Sequence, residues 1–314
     1  MKTSRRRFLQ VLLSGAAVGL FPKLPGRLLW AKTSPKPPRE FPDLVAVKDG
    51  SPAQMFEAGI KALGGMGRFV KKGQTVLVKP NIGWNKTPNE AANTNPDLIG
   101  RIVALAYEAG AKKVYAFDHP VNLEEECYER SGIAKAVKDN GGEMRSAKKE
   151  AYYRKVTLEK TKVLKEVLVH ELYLDCDVVI NVPVLKSHGG GLMTSALKNL
   201  MGVVWDRRYW HRKGLHQAIG EFPLVRRPDL NVIDAYIVMM KNGPRGVSTE
   251  DLLLKKMQLL STDMVLVDTA AAKILGLDPG EIPYLKTAAG LGIGTMDLEK
   301  SSIKRISLKS PSAP

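Results

Sequence analysis

The feature that most narrows the fold of this 314-residue chain is alternation, in which short β-branched runs are each followed by a segment of helical periodicity. Leu44–Lys48, Thr75–Lys79, Lys113–Asp118, Asp177–Pro183, Leu230–Ala235 and Met257–Ser261 read as strands, and Ile303–Leu308 as a last edge strand. Between them, residues 52–63, 95–110, 124–140, 193–203 and 263–275 read as helices, several ended by glycine and one opened by Asn95-Pro96. Strands that alternate with helices of this length imply crossover units and an α/β fold with a mainly parallel sheet flanked by helices. Asp177-Val-Val-Ile-Asn-Val-Pro183 is apolar throughout, as a strand covered on both faces must be. Residues 150–174 break the rhythm: they are lysine-rich with alternating apolar positions, and predict a small extended excursion.

The first residues carry a different signal. Ser4-Arg5-Arg6-Arg7-Phe8-Leu9-Gln10 precedes an apolar run from Val11 to Phe21. That run is shorter than the roughly 20 apolar residues a spanning helix needs. Paired arginines before a modest apolar stretch have the form of a twin-arginine export signal, read by its translocon as an address rather than used as an anchor. The expected organisation is a signal over 1–31, a proline-rich linker over 32–43 and a single α/β domain over 44–310. The expected location is periplasmic or otherwise exported, or membrane-tethered if the signal stays uncleaved, with no stable transmembrane helix once it is removed. The translocon passes folded cargo, which hints at a cofactor loaded before export.

The formal charge is +16, and removing residues 1–31 leaves about +10. Such a balance favours an anionic partner. Trp205-Asp-Arg-Arg-Tyr-Trp-His-Arg-Lys213 is the one place where aromatics interleave with cations, which argues against nucleic acid and leaves two readings, a clamp on an anion or a packed surface loop. Cys127 and Cys176 could pair or stay as buried thiols, but two cysteines cannot hold an iron–sulfur cluster, which takes four ligands.

In open parallel sheets ligands bind beyond the carboxyl ends of the strands. Here those ends deliver Lys79-Pro80-Asn81, Asp118-His119, Leu185-Lys186-Ser187-His188 and Asp234. The densest stretch, Asn181 to Gly202, adds the triplet Gly189-Gly190-Gly191, then Thr194, Lys198 and Asn199. Three glycines leading into a helix predict positive φ and free peptide N–H groups that cradle an anion. Lys79, Asn81, Gly189, Gly190, Gly191, Thr194, Lys198 and Asn199 are therefore expected to bind it, with His188, Lys186 and Asp234 as catalytic candidates and His188 as acid or base. Asp118, His188 and Asp234 are the candidate ligands of a divalent metal, although no paired-histidine spacing supports one. The phosphate-loop, G-x-G-x-x-G and G-x-S-x-G patterns are not signposts here. The function expected is an enzyme acting on an anionic small molecule; the alternative is a non-catalytic anion- or cofactor-binding or maturation protein.

The stretch L-K-S-H-x-x-G-x-x-T-x-A-L-K-N-L-M-G, running from Leu185 to Gly202, resembles the signature of the bacterial and archaeal proteins called domain of unknown function family 362. Val76–Asn81, the strand at Asn181, Asp234, Asn242-Gly243-Pro244 and Asp263–Asp268 are similar too, so that the resemblance spans roughly residues 44–280. Many members look like fusions to ferredoxin-type cluster domains. Since this chain carries no such module, the resemblance implies at most a separate redox partner.

Overall fold

Val76 and Val78 on one side of a strand and Leu77 on the other are all fully buried, so the sheet to which they belong is covered on both faces. A computed structural model describes residues 40–309; the expected export signal at 1–31 lies outside them. The strands are β1 (Leu44–Lys48), β2 (Thr75–Pro80), β3 (Lys113–Ala116), β4 (Glu143–Met144), β5 (Tyr153–Thr157), β6 (Glu166–His170), β7 (Val178–Val182), β8 (Val184–His188), β9 (Leu192–Thr194), β10 (Leu230–Met239), β11 (Leu252–Ser261) and β12 (Ile303–Ser307).

Ten of them form one sheet in the order β12-β1-β11-β10-β7-β2-β3-β4, with β8 continuing alongside β10 and β9 folded back on β8. The pairs β2–β3, β2–β7, β3–β4, β7–β10, β8–β10 and β1–β12 are parallel, and β11 runs against both β1 and β10. The α/β architecture is thus the one the alternation implies. The excursion at 150–174 is a separate antiparallel pair, β5–β6.

Helices Pro52–Ala62 and Pro96–Glu108 and the shorter Ile133–Asp139 cover one face of the sheet. Met264–Ile274, Pro283–Gly290, Leu215–Glu221 and the short helix Ala196–Asn199 cover the other. The segment expected as one helix from 124 to 140 is two, Glu124–Arg130 and Ile133–Asp139. Cys127 and Cys176 are both buried free thiols, and burial pushes each up to about 11, so neither is poised as a thiolate. Among the described residues no helix is long and apolar enough to cross a membrane.

Candidate anion-binding site

The strand period places the site. On β2, Lys79 falls two residues after Leu77 and so points to the same face. Register sets Lys79 opposite Asn181 of β7, and Asn181 opposite Asn231 of β10. A polar row therefore crosses three adjacent strands, near the carboxyl ends of β2 and β7 and at the start of the longer β10. It would be costly to bury without partners, and Asn199 supplies them. Asn199 Nδ2 donates to Asn181 Oδ1 (2.8 Å), and Asn199 Oδ1 accepts from Lys79 Nζ (3.2 Å) and Asn81 Nδ2 (3.0 Å). Asn181 Nδ2 donates on to Asn231 Oδ1 (3.0 Å).

Lys79 is wholly buried and completes its set with Asp118 Oδ1 (2.7 Å) and the Pro80 carbonyl (2.6 Å). Burial pulls its ammonium below the ordinary range, and the Asp118 carboxylate holds the charge in place. Asp118 in turn accepts from the peptide N–H groups of Ile82 (2.6 Å) and His119 (2.9 Å). Gly202 lies against this pair: a Cβ there would come within 1.7 Å of Asp118 Oδ1 and 2.6 Å of Lys79 Nζ. Only glycine lets the backbone close over the ion pair.

Above this floor opens a cavity of about 410 Å³, walled by Asn81, Lys186, His188, Thr194, Lys198 and Arg207 among others. The volume suits a small metabolite. Lys186 is buried on β8 and donates to Asn81 Oδ1 (2.9 Å) and the Ala92 carbonyl, both neutral oxygens. Among the described residues Lys198 reaches only the sulfur of Met201 (3.6 Å). Arg207 donates to the carbonyls of His119 (2.7 Å) and Pro120 (3.0 Å). Among the described residues none of these three cations has a carboxylate within ion-pair distance, and the one acid of the wall, Asp118, is taken by Lys79. Removal from water, reinforced by neighbouring cations, lowers Lys186 to about 7 and Lys198 to about 8. The same causes pull His188 down to about 3. His188 is therefore neutral near pH 7. Its Nδ1 accepts the Gly191 N–H (3.0 Å), which leaves the proton on Nε2.

The sequence brought Lys79, Asn81, Asp118, Lys186, His188, Thr194, Lys198 and Asn199 to one place, with Lys79 in the floor rather than on the wall. The glycine triplet behaves otherwise than expected. It turns the β8–β9 hairpin, with His188 opposite Leu192 and Lys186 opposite Thr194, and none of Gly189, Gly190 and Gly191 has positive φ. The left-handed residue is Leu192 (φ 64°). Gly191 matters for space instead, since a Cβ would press within 2.6 Å of Lys198 Cε.

The helix starts later than the sequence suggests, at Ala196, and its leading N–H groups do not face a ligand. Those of Ala196 (2.6 Å) and Leu197 (2.9 Å) are held by the carboxylate of Asp268, from the helix Met264–Ile274. The cations that face the cavity are thus side chains, and the helix end offers it neither of these N–H groups. Asp234 is also elsewhere: it accepts the N–H groups of Asn95 (2.8 Å) and Tyr236 (3.1 Å) beneath the start of the helix Pro96–Glu108, and does not line the cavity. Asp118, His188 and Asp234 are accordingly not gathered as metal ligands. No group of three or more His, Cys, Asp or Glu suited to a metal occurs among the described residues.

The segment Trp205–Lys213 divides its labour. Trp210 is buried in the core against Phe222, and Trp205 stacks on His119 at 5.4 Å. The helix Arg207–Lys213 turns Arg207, Arg208 and His211 to the cavity. Trp84, from the loop after β2, joins the wall without any signal that reading strand ends could detect, whereas Pro244 comes from the Asn242-Gly243-Pro244 stretch already singled out in the sequence.

The sequence profile of the family described as domain of unknown function (DUF362) matches residues 76–273. A thylakoid-associated protein of Synechocystis sp. is 30% identical over 275 residues, covering 77% of this chain and 78% of that protein. Two solved structures show a similarity at low identity. The lactate racemase apoprotein of Thermoanaerobacterium thermosaccharolyticum gives a TM-score of 0.46 at 9% identity, over 73% of this chain and 56% of its own. A structural-genomics protein from Thermotoga maritima gives 0.48 at 12%, over 73% and 60%. The chain thus spans less than two thirds of either solved structure. The matched residues begin in β2, end in the helix Met264–Ile274 and include every residue that walls the cavity, and the chain belongs to the DUF362 family.

Proposed function

We propose that this protein captures a small anionic molecule, carrying a carboxylate or phosphate-like group, in the cavity at the carboxyl ends of β2, β3 and β8. One observation carries the reading: Lys186, Lys198 and Arg207 share a cavity wall, and among the described residues none of them has a carboxylate within ion-pair distance. Cations withdrawn from water without a counterion destabilise the protein that holds them, and a bound anion relieves that cost. Asn81 and Thr194 add neutral polar groups, and the Nε2–H of His188 adds a donor.

Titration calorimetry with sulfate and with acetate, neither of which changes charge between about pH 6 and 9, tests this. Binding is expected in the wild type and is weakened about a hundredfold in Lys198→Met, while the melting temperature without ligand is kept or raised. Equal binding by wild type and variant would defeat the reading.

A second reading, proton transfer on the bound anion, is favoured by the value of about 7 at Lys186, which lets an amine trade a proton near neutrality. In that reading Lys186, not His188, is the acid or base, because the Nδ1 of His188 is occupied and its ring is held neutral. Lys186→Arg would then keep anion binding and abolish turnover. For the chain as a whole, export by the twin-arginine route is our proposal from Ser4–Phe21, and the thylakoid association of the Synechocystis relative accords with work at or beyond a membrane.

A further inference from the structure

Exposed apolar side chains are common and scattered on most proteins, but here they are sorted to one end. The large ones among the described residues are Val121, Leu123, Leu192, Val247, Leu253 and Leu254. Val121 and Leu123 follow the carboxyl end of β3, Leu192 follows the turn off β8, and Val247 lies in the β10–β11 connection. Leu253 and Leu254 open β11, which runs antiparallel to β10, so they stand at the same end.

The β10–β11 arm also extends past its neighbour. β1 pairs with β11 only as far as Lys48 opposite Met257, while β10 pairs with β11 out to Met239 opposite Leu252. Val247 at its tip is 82% exposed. The arm carries Lys241, Arg245, Lys255 and Lys256 against two acids, Glu250 and Asp251. Asp251 is turned inward, accepting from Val247 N (2.9 Å) and Asn242 Nδ2 (2.7 Å), so the outward balance is cationic.

Apolar tips ringed by cations suit a soft anionic interface, where each tip enters the headgroup layer and each cation meets a phosphate. A rigid protein partner would instead be matched by one continuous patch. We propose that this edge docks peripherally on an anionic lipid surface, with the β10–β11 arm inserting Val247, Leu253 and Leu254. The proposal is independent of what fills the cavity.

The two native cysteines are buried, so Val247→Cys can be labelled selectively with an environment-sensitive dye in the full chain. Because the dye reports from the arm, membrane contact elsewhere on the chain leaves it unmoved. Its emission is expected to shift blue with vesicles containing phosphatidylglycerol, not with phosphatidylcholine alone, and to revert at high salt. Adding Lys241→Glu, Arg245→Glu and Lys255→Glu should weaken vesicle binding about a hundredfold, with the circular dichroism spectrum unchanged. No shift with the anionic vesicles, or an equal shift with neutral ones, would overturn the proposal. So would a shift that grows with protein concentration in the absence of lipid, which would make the arm an interface between copies.

Discussion

The floor and the wall of the cavity handle the same problem, a lysine removed from water, in opposite ways. Lys79 in the floor has a carboxylate, a carbonyl and an amide oxygen around its ammonium. Lys186 in the wall has two neutral oxygens, and Lys198 has a thioether. A buried ion pair whose every hydrogen bond is made is a structural joint, whereas cations facing a cavity with no counterion form a site waiting for one. On the proposed reading, the contrast separates a lysine that holds the fold from lysines that would hold a ligand, although Lys79 and Lys186 both lie on strands of the same sheet.

The largest effect that could break this contrast lies in the floor. Lys79→Met strands the Asp118 charge beneath Gly202 and should cost about 3–5 kcal/mol of stability, seen as a lower urea midpoint at unchanged slope. Lys198→Met should leave that midpoint unchanged or raise it, while weakening sulfate binding about a hundredfold, equivalent to roughly 2.7 kcal/mol. If the two variants behave alike, floor and wall are not distinct.

Two glycines sharpen the same division. Gly202→Ala drives a methyl into the Asp118–Lys79 pair and should destabilise the fold by about 1–3 kcal/mol. Gly191→Ala meets the far end of the flexible Lys198 side chain, so it should cost little stability and show itself as weaker anion binding.

The smallest effect is the pH profile. With free-state values of about 7 and 8 for Lys186 and Lys198, the wall loses charge as pH rises through that range, and sulfate should bind at least about tenfold more weakly near pH 9 than near pH 6. Stability runs the other way. Both lysines titrate below their ordinary 10.5, so between about 7 and 10.5 the unfolded chain binds more protons and these residues favour folding more as pH rises. A thermal melt series of wild type against Lys186→Met/Lys198→Met should show that slope flattened in the variant.

Much of this was legible in the sequence because strand ends are local. Lys79 and Lys186 each close a run whose period is readable, and the sheet then converges them. What escaped depends on distance along the chain or on small balances. Asp268 satisfies N–H groups at 196 and 197, some 72 positions away, and no local pattern announces that the helix end is already occupied. Leu-Met-Thr between the glycines and Ser195 is too short to declare itself a strand until it pairs with β8. Asp234 follows an apolar strand as Lys79 does, yet β10 aims it beneath the helix Pro96–Glu108, where its carboxylate caps backbone rather than contacting a ligand. Arg207 and Arg208 lie in a segment whose cations go one way and whose Trp210 goes the other, a split that composition does not encode.

The contact between Asp268 and the helix at Ala196 has a consequence for biogenesis. A ribosome makes residue 268 long after residue 196, so the lysine-bearing turn emerges with its amides unsatisfied and acquires its clasp only when the later helix has been synthesised. The proposed ligand capture should therefore begin near the end of translation, and nascent chains arrested before Asp268 should fail to retain an anion that the full-length chain can hold.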